Sequence, residues 1–232
     1  MKTLKNVLRL VRSRVMKLVY PKETYFLFKV RTIEPLSTKH GFDRGTPVDR
    51  FYIESFLADN AKDIRGVCLE IGNRDYTLRF GEKRVTKSDV LDIDTKNKNA
   101  NIHGDLRKLS HVSSNTYDCI ILTHTLGIID DHESAAREAL RILKQGGTLL
   151  VTVSALGVAQ NPEGCFWRYT PVALKYLFGK YVSSEHITVS SYGNVLAGQA
   201  FWVGLSAEEL TKKELAHNDA RYAVIATAII KK

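Results

Sequence analysis

The sequence predicts an α/β domain with a mainly parallel, doubly wound sheet and helices on both of its faces. From residue 65 onward, short apolar runs alternate with helical or loop segments, as in strand–crossover–strand units. The predicted strands are VCLEI (67–71), VTKSDVL (85–91), YDCIIL (117–122) and TLLVTV (148–153). An amphipathic helix is predicted over 133–143, with Gly146 and Gly147 as its stop signal. Two further β-rich runs, 186–191 and 221–230, follow.

The length and composition indicate one large globular domain with an extension. The chain has 232 residues, of which 44% are hydrophobic and 25% charged, which excludes disordered and fibrous proteins. No apolar run approaches the roughly 20 residues that a transmembrane helix needs. Three cysteines cannot form a fully paired disulfide set, and Cys68 and Cys119 lie inside apolar runs. We therefore expect a reducing, cytoplasmic location.

The excess of basic residues is concentrated at the N-terminus. Residues 1–22 contain seven Lys and Arg and no acid, which leaves 27 basic and 25 acidic residues in the remainder. A broad phosphate-binding face is therefore not indicated, and no nucleic-acid partner is expected. Apolar residues recur at helical spacing over 1–20, which predicts an amphipathic helix. Three interpretations stay open: packing on its own domain or a partner, peripheral contact with an anionic cytoplasmic membrane face, or a mitochondrial presequence.

A second helix is predicted before the sheet. Residues 42–60 contain a Gly-Pro turn that leads into a helix, with Phe51, Ile53, Phe56 and Leu57 facing inward. We therefore divide the chain into a basic amphipathic helix with its connecting segment, 1–41, and the main domain, 42–232.

Residues that carry chemistry follow the predicted strands, at the ends where doubly wound sheets bind ligands. The first strand ends in Glu70, Ile71 and Gly72, and the glycine lets backbone N–H groups approach a ligand closely. The second strand is predicted to end at Asp89, with Asp92 shortly after it, and an acid there suits ribose hydroxyls. The later strand ends and loops contribute Gly104, Asp105, Leu106, Thr123 and His124.

The motifs taken together resemble class I S-adenosylmethionine-dependent methyltransferases. They most resemble the small methyltransferases that occur alone or fused beside bacterial and viral glycosyltransferases. The motifs that carry the resemblance are GTPVDRFYIE (46–55), LEIGNRDYTLRFG (69–81), SDVL (88–91), WRYT (167–170) and YGNVLA (192–197). The resemblance covers about residues 42–230. It implies a Rossmann-like sheet of seven strands, mainly parallel with an antiparallel last strand.

The first motif departs from the wider superfamily. Glycines usually occupy three alternate positions, where this chain has Gly72, Arg74 and Tyr76, a loss that the narrower family shares. Arg and Tyr resist the positive φ that glycine accepts, so the usual loop geometry is in doubt. Arg74 and Arg79 are candidates to pair with the cofactor's carboxylate, and the alternative is that both are surface arginines.

The resemblance implies S-adenosylmethionine as cofactor, S-adenosylhomocysteine as product, and a set of contacts at the strand ends. Leu106 would lie against the adenine ring while Asp105 accepts from its amino group. The implied residues are Glu70, Gly72 and Asn73 at the methionine end, Asp89 or, as second choice, Asp92 at the ribose, Asp105 and Leu106 at the adenine, and Thr123 at the methionine portion.

A base is expected near the methyl group if the acceptor is a hydroxyl, because methyl transfer must also remove the hydroxyl proton. His124 directly follows the fourth strand, and an imidazole titrates near working pH. The alternative is that His124 only hydrogen-bonds the acceptor or caps the following turn. Asp130 and Asp131 are the other catalytic candidates, and His132 on the same loop is a candidate for substrate binding.

A second stretch is a candidate roof over the acceptor. Aromatic faces stack on sugar rings, and Arg and Glu satisfy hydroxyls; the alternative is an ordinary lid held by aromatic packing. The candidates are Glu163, Trp167, Arg168 and Tyr169. No metal site is predicted, because the histidines are scattered and no close Cys or His pair occurs.

The function that the resemblance implies is O-methylation of a sugar hydroxyl on a glycan or lipid-linked saccharide, with glycosyltransferases as candidate partners. Two alternatives stay open. One is a methyltransferase for a small-molecule or lipid acceptor, and the other is a non-catalytic module that keeps the fold.

Overall fold

The computed structural model describes residues 32–157 and 164–232. The helix predicted over 1–20 and the substrate candidate Glu163 lie outside the described residues. The helices and strands, numbered in chain order, are α1 (Val48–Asp59), β1 (Gly66–Ile71), β2 (Val85–Asp92), β3 (Ile102–His103), β4 (Tyr117–Thr123), α2 (His132–Ile142), β5 (Leu143–Ser154), α3 (Pro171–Gly179), β6 (Ile187–Tyr192), α4 (Val195–Val203), α5 (Lys212–Ala216) and β7 (Ile225–Lys231).

The strands form one sheet of seven in the order β3-β2-β1-β4-β5-β7-β6. The pairs from β3 through β5 are parallel, whereas β7 is antiparallel to both β5 and β6. The order of strands switches sides at β1, because β2 and β3 are added on one side of β1 whereas β4 and β5 are added on the other. The predicted α/β class, the mainly parallel sheet and the antiparallel last strand are confirmed.

The sheet is covered on both faces, which explains the unbroken apolar run of β4. Along this strand Cys119 and Ile121 pack with α1 and α4, whereas Ile120 and Leu122 pack with α2 and α3. Side chains alternate between the two faces of a strand, so a central strand of a doubly covered sheet is apolar at every position. The two cysteines of the sheet, Cys68 and Cys119, are buried and unpaired.

Helix α1 places its N-terminus beside the carboxyl ends of the strands. It begins at Val48, directly after Pro47, whose fixed φ suits the entry into a helix. Its buried side chains recur at helical spacing and are Val48, Tyr52, Ile53, Phe56 and Leu57. Phe51, which was expected to face inward, is only partly buried and packs at the margin of this cluster.

The YGNVLA motif has a structural role that the sequence did not indicate. Asn194 caps α4, because its side-chain oxygen accepts from the backbone N–H of Ala197 at 2.9 Å. Its amide nitrogen donates to the carbonyl oxygens of Glu214 and His217, both at 2.7 Å. One buried side chain therefore joins α4 to the end of α5.

The second strand, predicted over 85–91, ends at Asp92, three residues beyond Asp89, which was predicted as its end. β2 continues to Asp92, and its parallel register with β1 runs from Val67 opposite Lys87 to Ile71 opposite Leu91. The N–H of Gly72 then donates to the carbonyl of Leu91 at 2.9 Å, which prolongs the pairing by one more bond. Asp89 therefore lies within the strand, beside Leu69, and Asp92 occupies the strand end.

Within the described ranges, no helix is long and apolar enough to cross a membrane.

Candidate functional site

Three cavities lie at the carboxyl ends of β1, β2 and β4. The β2 cavity, of about 350 Å³, is lined by residues that include Ile71, Asp92, Asp105, Leu106, Ile128 and Phe166. The β1 cavity, of about 620 Å³, is lined by residues that include Arg50, Glu70, Ile71, Asn73, Tyr76 and Thr123. The His124 cavity, of about 250 Å³, is lined by residues that include Asp49, Arg50, His124, Ile128, Trp167 and Arg168. Ile71, Arg50 and Ile128 each line two of them, so the three cavities are contiguous.

The loop after β1 is held by the buried carboxylate of Glu70. This side chain is 1% exposed, and its two oxygens accept from the backbone N–H groups of Tyr76 at 3.3 Å and Thr77 at 2.7 Å. Burial raises the pKa of Glu70, and the two backbone hydrogen bonds oppose that rise. Glu70 therefore shapes the wall of the β1 cavity through the backbone of the loop.

Gly72 is the residue of this loop that needs glycine. Its φ is +79°, and a Cβ at this position would meet no heavy atom within 4 Å. The requirement is therefore conformational and not one of space. Tyr76 has φ −71°, and neither it nor Arg74 is among the residues with positive φ, so the loop closes without the other two glycines.

Asp92 and Asn97 join the loops that follow β1 and β2. The Nδ2 of Asn97 donates to the carbonyl of Gly72 and to Oδ2 of Asp92, both at 2.6 Å. The other oxygen of Asp92 accepts from the N–H of Asp94 at 2.9 Å. Asn97 was not anticipated, because an asparagine in a polar loop carries no distinctive sequence signal. The bridge fixes the Asp92 carboxylate at the rim of the β2 cavity.

Asp89, the first choice for the ribose, is enclosed by partners within the sheet. It is 2% exposed, and its carboxylate accepts from Lys87 at 2.9 Å, Asn101 at 2.8 Å and Tyr117 at 3.2 Å. Burial raises the pKa of Asp89, but the hydrogen bonds from Lys87 and Asn101 hold it below its ordinary value. The group is a structural anion within the sheet, and the strand-end acid beside the β2 cavity is Asp92.

Arg107 clamps one side of the β2 cavity. Its Nε and NH2 atoms donate to Oδ2 of Asp105 at 2.9 and 2.6 Å, and its NH1 donates to Asp130 at 2.6 Å. The hydrogen bond from Arg107 holds the pKa of Asp105 below its ordinary range. Leu106, between them in sequence, is buried in the core and lines the same cavity. Asp130 thus lines the β2 cavity and is paired with Arg107, and its catalytic role stays a prediction.

His124 is held in an unusual conformation at the end of β4. Its φ is +53°, and its N–H donates to the carbonyl of Thr152 at 2.8 Å. The ring nitrogen Nε2 lies 3.1 Å from Oδ2 of Asp49, and Nδ1 lies 3.4 Å from Oγ of Ser154. A non-glycine residue in the left-handed region at a strand end is typical of functional sites.

Asp49 was not singled out from the sequence, although it lies in the GTPVDRFYIE motif. Burial raises the pKa of its carboxyl, but the hydrogen bond and charge of His124, followed by Arg50, hold it below the ordinary value. The carboxylate therefore stays ionised and can accept a hydrogen bond from an N–H group of the imidazole.

Structural contacts at the start of α2 involve the side chains of Asp131, His132 and Tyr169. Asp131 is the N-cap of α2, where its carboxylate accepts from the N–H of Ser134 at 3.0 Å. Tyr169 is 4% exposed, and its hydroxyl lies 2.7 Å from Nδ1 of His132. The ring of His132 packs 4.4 Å from that of Trp167. The catalytic role of Asp131 and the substrate contacts of His132 and Tyr169 stay predictions beside these structural contacts.

The segment from Cys165 to Arg168 covers two of the cavities. The N–H groups of Phe166 and Trp167 both donate to the carbonyl of Gly127, at 3.0 and 3.1 Å, and the indole N–H of Trp167 donates to the carbonyl of Ile129 at 2.9 Å. Phe166, which was not anticipated, lines the β2 cavity, whereas Trp167 and Arg168 line the His124 cavity. Trp167 is 40% exposed.

Among residues 32–157 and 164–232, no group of three or more His, Cys, Asp or Glu side chains could hold a metal ion.

Comparison with known proteins bears on the fold that carries these cavities. Residues 68–151, from β1 into β5, match the family described as a methyltransferase domain. No curated protein matches the chain. Among solved structures, an Archaeoglobus fulgidus S-adenosylmethionine-dependent methyltransferase is 11% identical with a TM-score of 0.54, and covers 79% of this chain and 94% of its own.

Two further structures are similar over most of the chain. A Thermotoga maritima S-adenosylmethionine-dependent methyltransferase, described as a possible histamine N-methyltransferase, is 17% identical with a TM-score of 0.52, covering 80% of this chain and 92% of its own. The plantazolicin methyltransferase BamL, solved with S-adenosylhomocysteine, is 13% identical with a TM-score of 0.51, covering 95% of this chain and 94% of its own.

The chain has the class I methyltransferase fold. The match over residues 68–151 indicates S-adenosylmethionine as the cofactor and S-adenosylhomocysteine as the product, as the sequence predicts.

The residues at the strand ends fit this cofactor. The β2 cavity combines apolar walls, including Leu106 and Phe166, with the carboxylates of Asp92 and Asp105, which suits a purine and a ribose. The β1 cavity is more polar and lies beside Gly72, whose loop leaves room at the position of the missing Cβ. The shared wall at Ile71 lets one elongated ligand occupy both cavities.

Proposed function

We propose that this protein is an O-methyltransferase whose acceptor is a hydroxyl of a saccharide, either in a glycan or on a lipid carrier. The observation that carries the proposal is the His124–Asp49 pair, in a cavity that adjoins the proposed cofactor site and is lined by Trp167. S-adenosylmethionine supplies an activated methyl group on a sulfonium sulfur.

The chain's own residues orient the cofactor in this proposal. Asp92 accepts from the ribose hydroxyls, since it occupies the end of β2 and is fixed by Asn97. Leu106 and Phe166 contact the adenine from the apolar wall of the β2 cavity. Thr123 and the loop held by Glu70 lie at the methionine end. The reacting methyl group is thereby directed toward His124, the residue that follows Thr123.

His124 acts as the general base through Nδ1. Asp49 accepts from Nε2–H, which leaves the lone pair on Nδ1, where Ser154 Oγ lies at 3.4 Å. The acceptor hydroxyl gives its proton to Nδ1 as its oxygen bonds to the methyl carbon and the bond from that carbon to sulfur breaks. The ionised Asp49 then stabilises the imidazolium, in the role that the carboxylate has in other His–Asp pairs.

The acceptor cavity has the composition that a sugar ring requires. Trp167 offers an aromatic face for the C–H groups of the ring, and Arg168 offers donors to its hydroxyl oxygens. Glycosyltransferases that assemble the acceptor are the expected functional partners, as the sequence resemblance implies.

One observation favours a hydroxyl over an amine acceptor. An amine in its free-base form attacks without first losing a proton, and so has no need of a base. A histidine held by an ionised aspartate at the proposed acceptor cavity supports an acceptor that must be deprotonated during the transfer. Small-molecule hydroxyls and lipid hydroxyls share this requirement and are the second candidate class.

Labelled methyl transfer from S-adenosylmethionine to a panel of acceptors tests the proposal. The panel contains neutral and acidic oligosaccharides, a lipid-linked saccharide, free small-molecule alcohols and amines. We expect label in a saccharide, and its loss in His124→Gln. Transfer only to amines would overturn the hydroxyl assignment, and cofactor binding without transfer to any acceptor would favour a non-catalytic module.

A further inference from the structure

Arg50 is a partly buried cation at the junction of two cavities. It lies in the first turn of α1 and lines both the β1 cavity and the His124 cavity. Its NH1 donates to the hydroxyl of Tyr76 at 3.3 Å. Among the described residues, no carboxylate lies within ion-pair distance of its guanidinium. Within the part of the chain that the structure describes, the guanidinium therefore has no ion-pair partner, and its charge acts on the neighbouring carboxylate of Asp49.

The other arginines of this region are directed elsewhere. Arg79 also lines the β1 cavity, but it forms a salt bridge with Glu54 at 2.8 Å. Arg74 donates to the carbonyl of Asn99 at 3.3 Å. Neither of the two arginines suggested by the first motif matches Arg50, because Arg74 lines none of the three cavities and Arg79 is paired with Glu54.

Given the cofactor, which rests on the proposed function, the geometry points to Arg50 as the group that binds the α-carboxylate of the methionine portion. The β1 cavity contains Glu70, Asn73 and Thr123, the residues at the methionine end, and Arg50 forms part of the same wall. A guanidinium binds a carboxylate through two parallel hydrogen bonds, which gives geometric specificity as well as attraction.

The position of Arg50 also links cofactor binding to the acceptor site. Arg50 directly follows Asp49, the partner of His124, in the first turn of α1. A carboxylate held by Arg50 fixes the methionine end at the boundary between the β1 cavity and the His124 cavity. Arg50 is thus a positioning residue for the methyl group as well as a binding residue.

Calorimetry with two ligands tests this inference without any acceptor. S-adenosylhomocysteine carries the carboxylate, whereas 5′-methylthioadenosine has the adenosine and sulfur but no amino-acid portion. In Arg50→Gln we expect the affinity for S-adenosylhomocysteine to fall by about 10- to 100-fold, the range for a hydrogen bond to a charged group. The affinity for 5′-methylthioadenosine should be unchanged.

Arg79→Gln is the matched control, because Arg79 lines the same cavity but its charge is already paired with Glu54. This substitution should leave the affinities for both ligands unchanged. Arg50→Lys keeps the charge without the fork and should give an intermediate loss for S-adenosylhomocysteine. It also serves if Arg50→Gln fails to fold.

Three results would overturn the assignment. If Arg50→Gln lowered the affinity for both ligands equally, the substitution would have disturbed the pocket in general. If it left the affinity for S-adenosylhomocysteine unchanged, Arg50 would not bind the carboxylate and would become a candidate for contact with the acceptor. If the wild-type protein bound 5′-methylthioadenosine but not S-adenosylhomocysteine, the cofactor in the proposed function would fail as well.

Discussion

The Nε2 atom of His124 lies 3.1 Å from a carboxylate oxygen of Asp49, a residue 75 positions earlier in the chain. The pair joins the end of β4 to the first turn of α1, at the margin of the proposed cofactor site. Because Asp49 occupies Nε2, the chemistry proposed for this imidazole uses Nδ1.

His124→Gln should lower kcat by about 10²- to 10⁴-fold, the usual contribution of a general base, and leave the affinity for S-adenosylhomocysteine nearly unchanged. The amide preserves hydrogen bonding but cannot take up the proton. Steady-state kinetics across pH checks this, since the wild-type rate should fall on the acid side and that fall should vanish in the variant. An acid limb that persists in His124→Gln would remove His124 from the role of base.

Asp92→Ala should weaken the binding of S-adenosylhomocysteine by about 1.5–3 kcal/mol, because the ribose hydroxyls lose a charged acceptor. Asp89→Asn is the control. It should lower the thermal stability, because a carboxylate buried with three donors is changed, yet leave affinity intact in the protein that remains folded. Calorimetry and a melting curve separate the two effects, and the reverse pattern would return the ribose to Asp89.

Gly72→Ala should destabilise the fold by about 1–2 kcal/mol, because an L-residue is strained at a φ of +79°. Gly146→Ala offers a matched control, with a φ of +75° and equally open space, near the start of β5 and outside the three cavities. Denaturant unfolding should show similar losses in the two variants. Only Gly72→Ala should also weaken the binding of S-adenosylhomocysteine. Equal affinities of the two variants for this ligand would mean that the loop backbone does not contact the cofactor.

The Asp49–His124 pair should make stability depend on acid pH. The pKa of Asp49 is held below its ordinary value in the folded protein, so its contribution is present above the unfolded pKa, about 3.8, and is lost as pH falls through the folded pKa. Asp49→Asn should therefore melt below the wild type at neutral pH, and the gap in Tm should close below about pH 3.8. A gap that is constant from pH 7 to 3 would show that Asp49 carries no stabilising charge.

The sequence by itself determined the sheet and the positions of most of its strands. Strand patterns such as YDCIIL and TLLVTV are local, and a strand buried on both faces must be apolar throughout, whatever packs on it. Gly72 was also readable from sequence, because a glycine directly after a buried strand marks a turn that other residues resist. The cofactor class followed from the family resemblance that the sequence motifs carry.

Only the tertiary structure decided which polar side chains are engaged by partners within the protein and which face a cavity. Asp89 and Asp92 look alike in sequence, but the register of β2 on β1 buries the first among three donors and places the second at the cavity rim. The tertiary structure also showed that the carboxylate of Asp131 caps the N-terminus of α2. The partnership of Asp49 with His124, and the position of Arg50 between two cavities, depend on α1 packing beside strand ends that follow it in the chain. Such contacts between distant segments leave no periodic signal in the sequence, because they are fixed by the packing of whole elements and not by local preference.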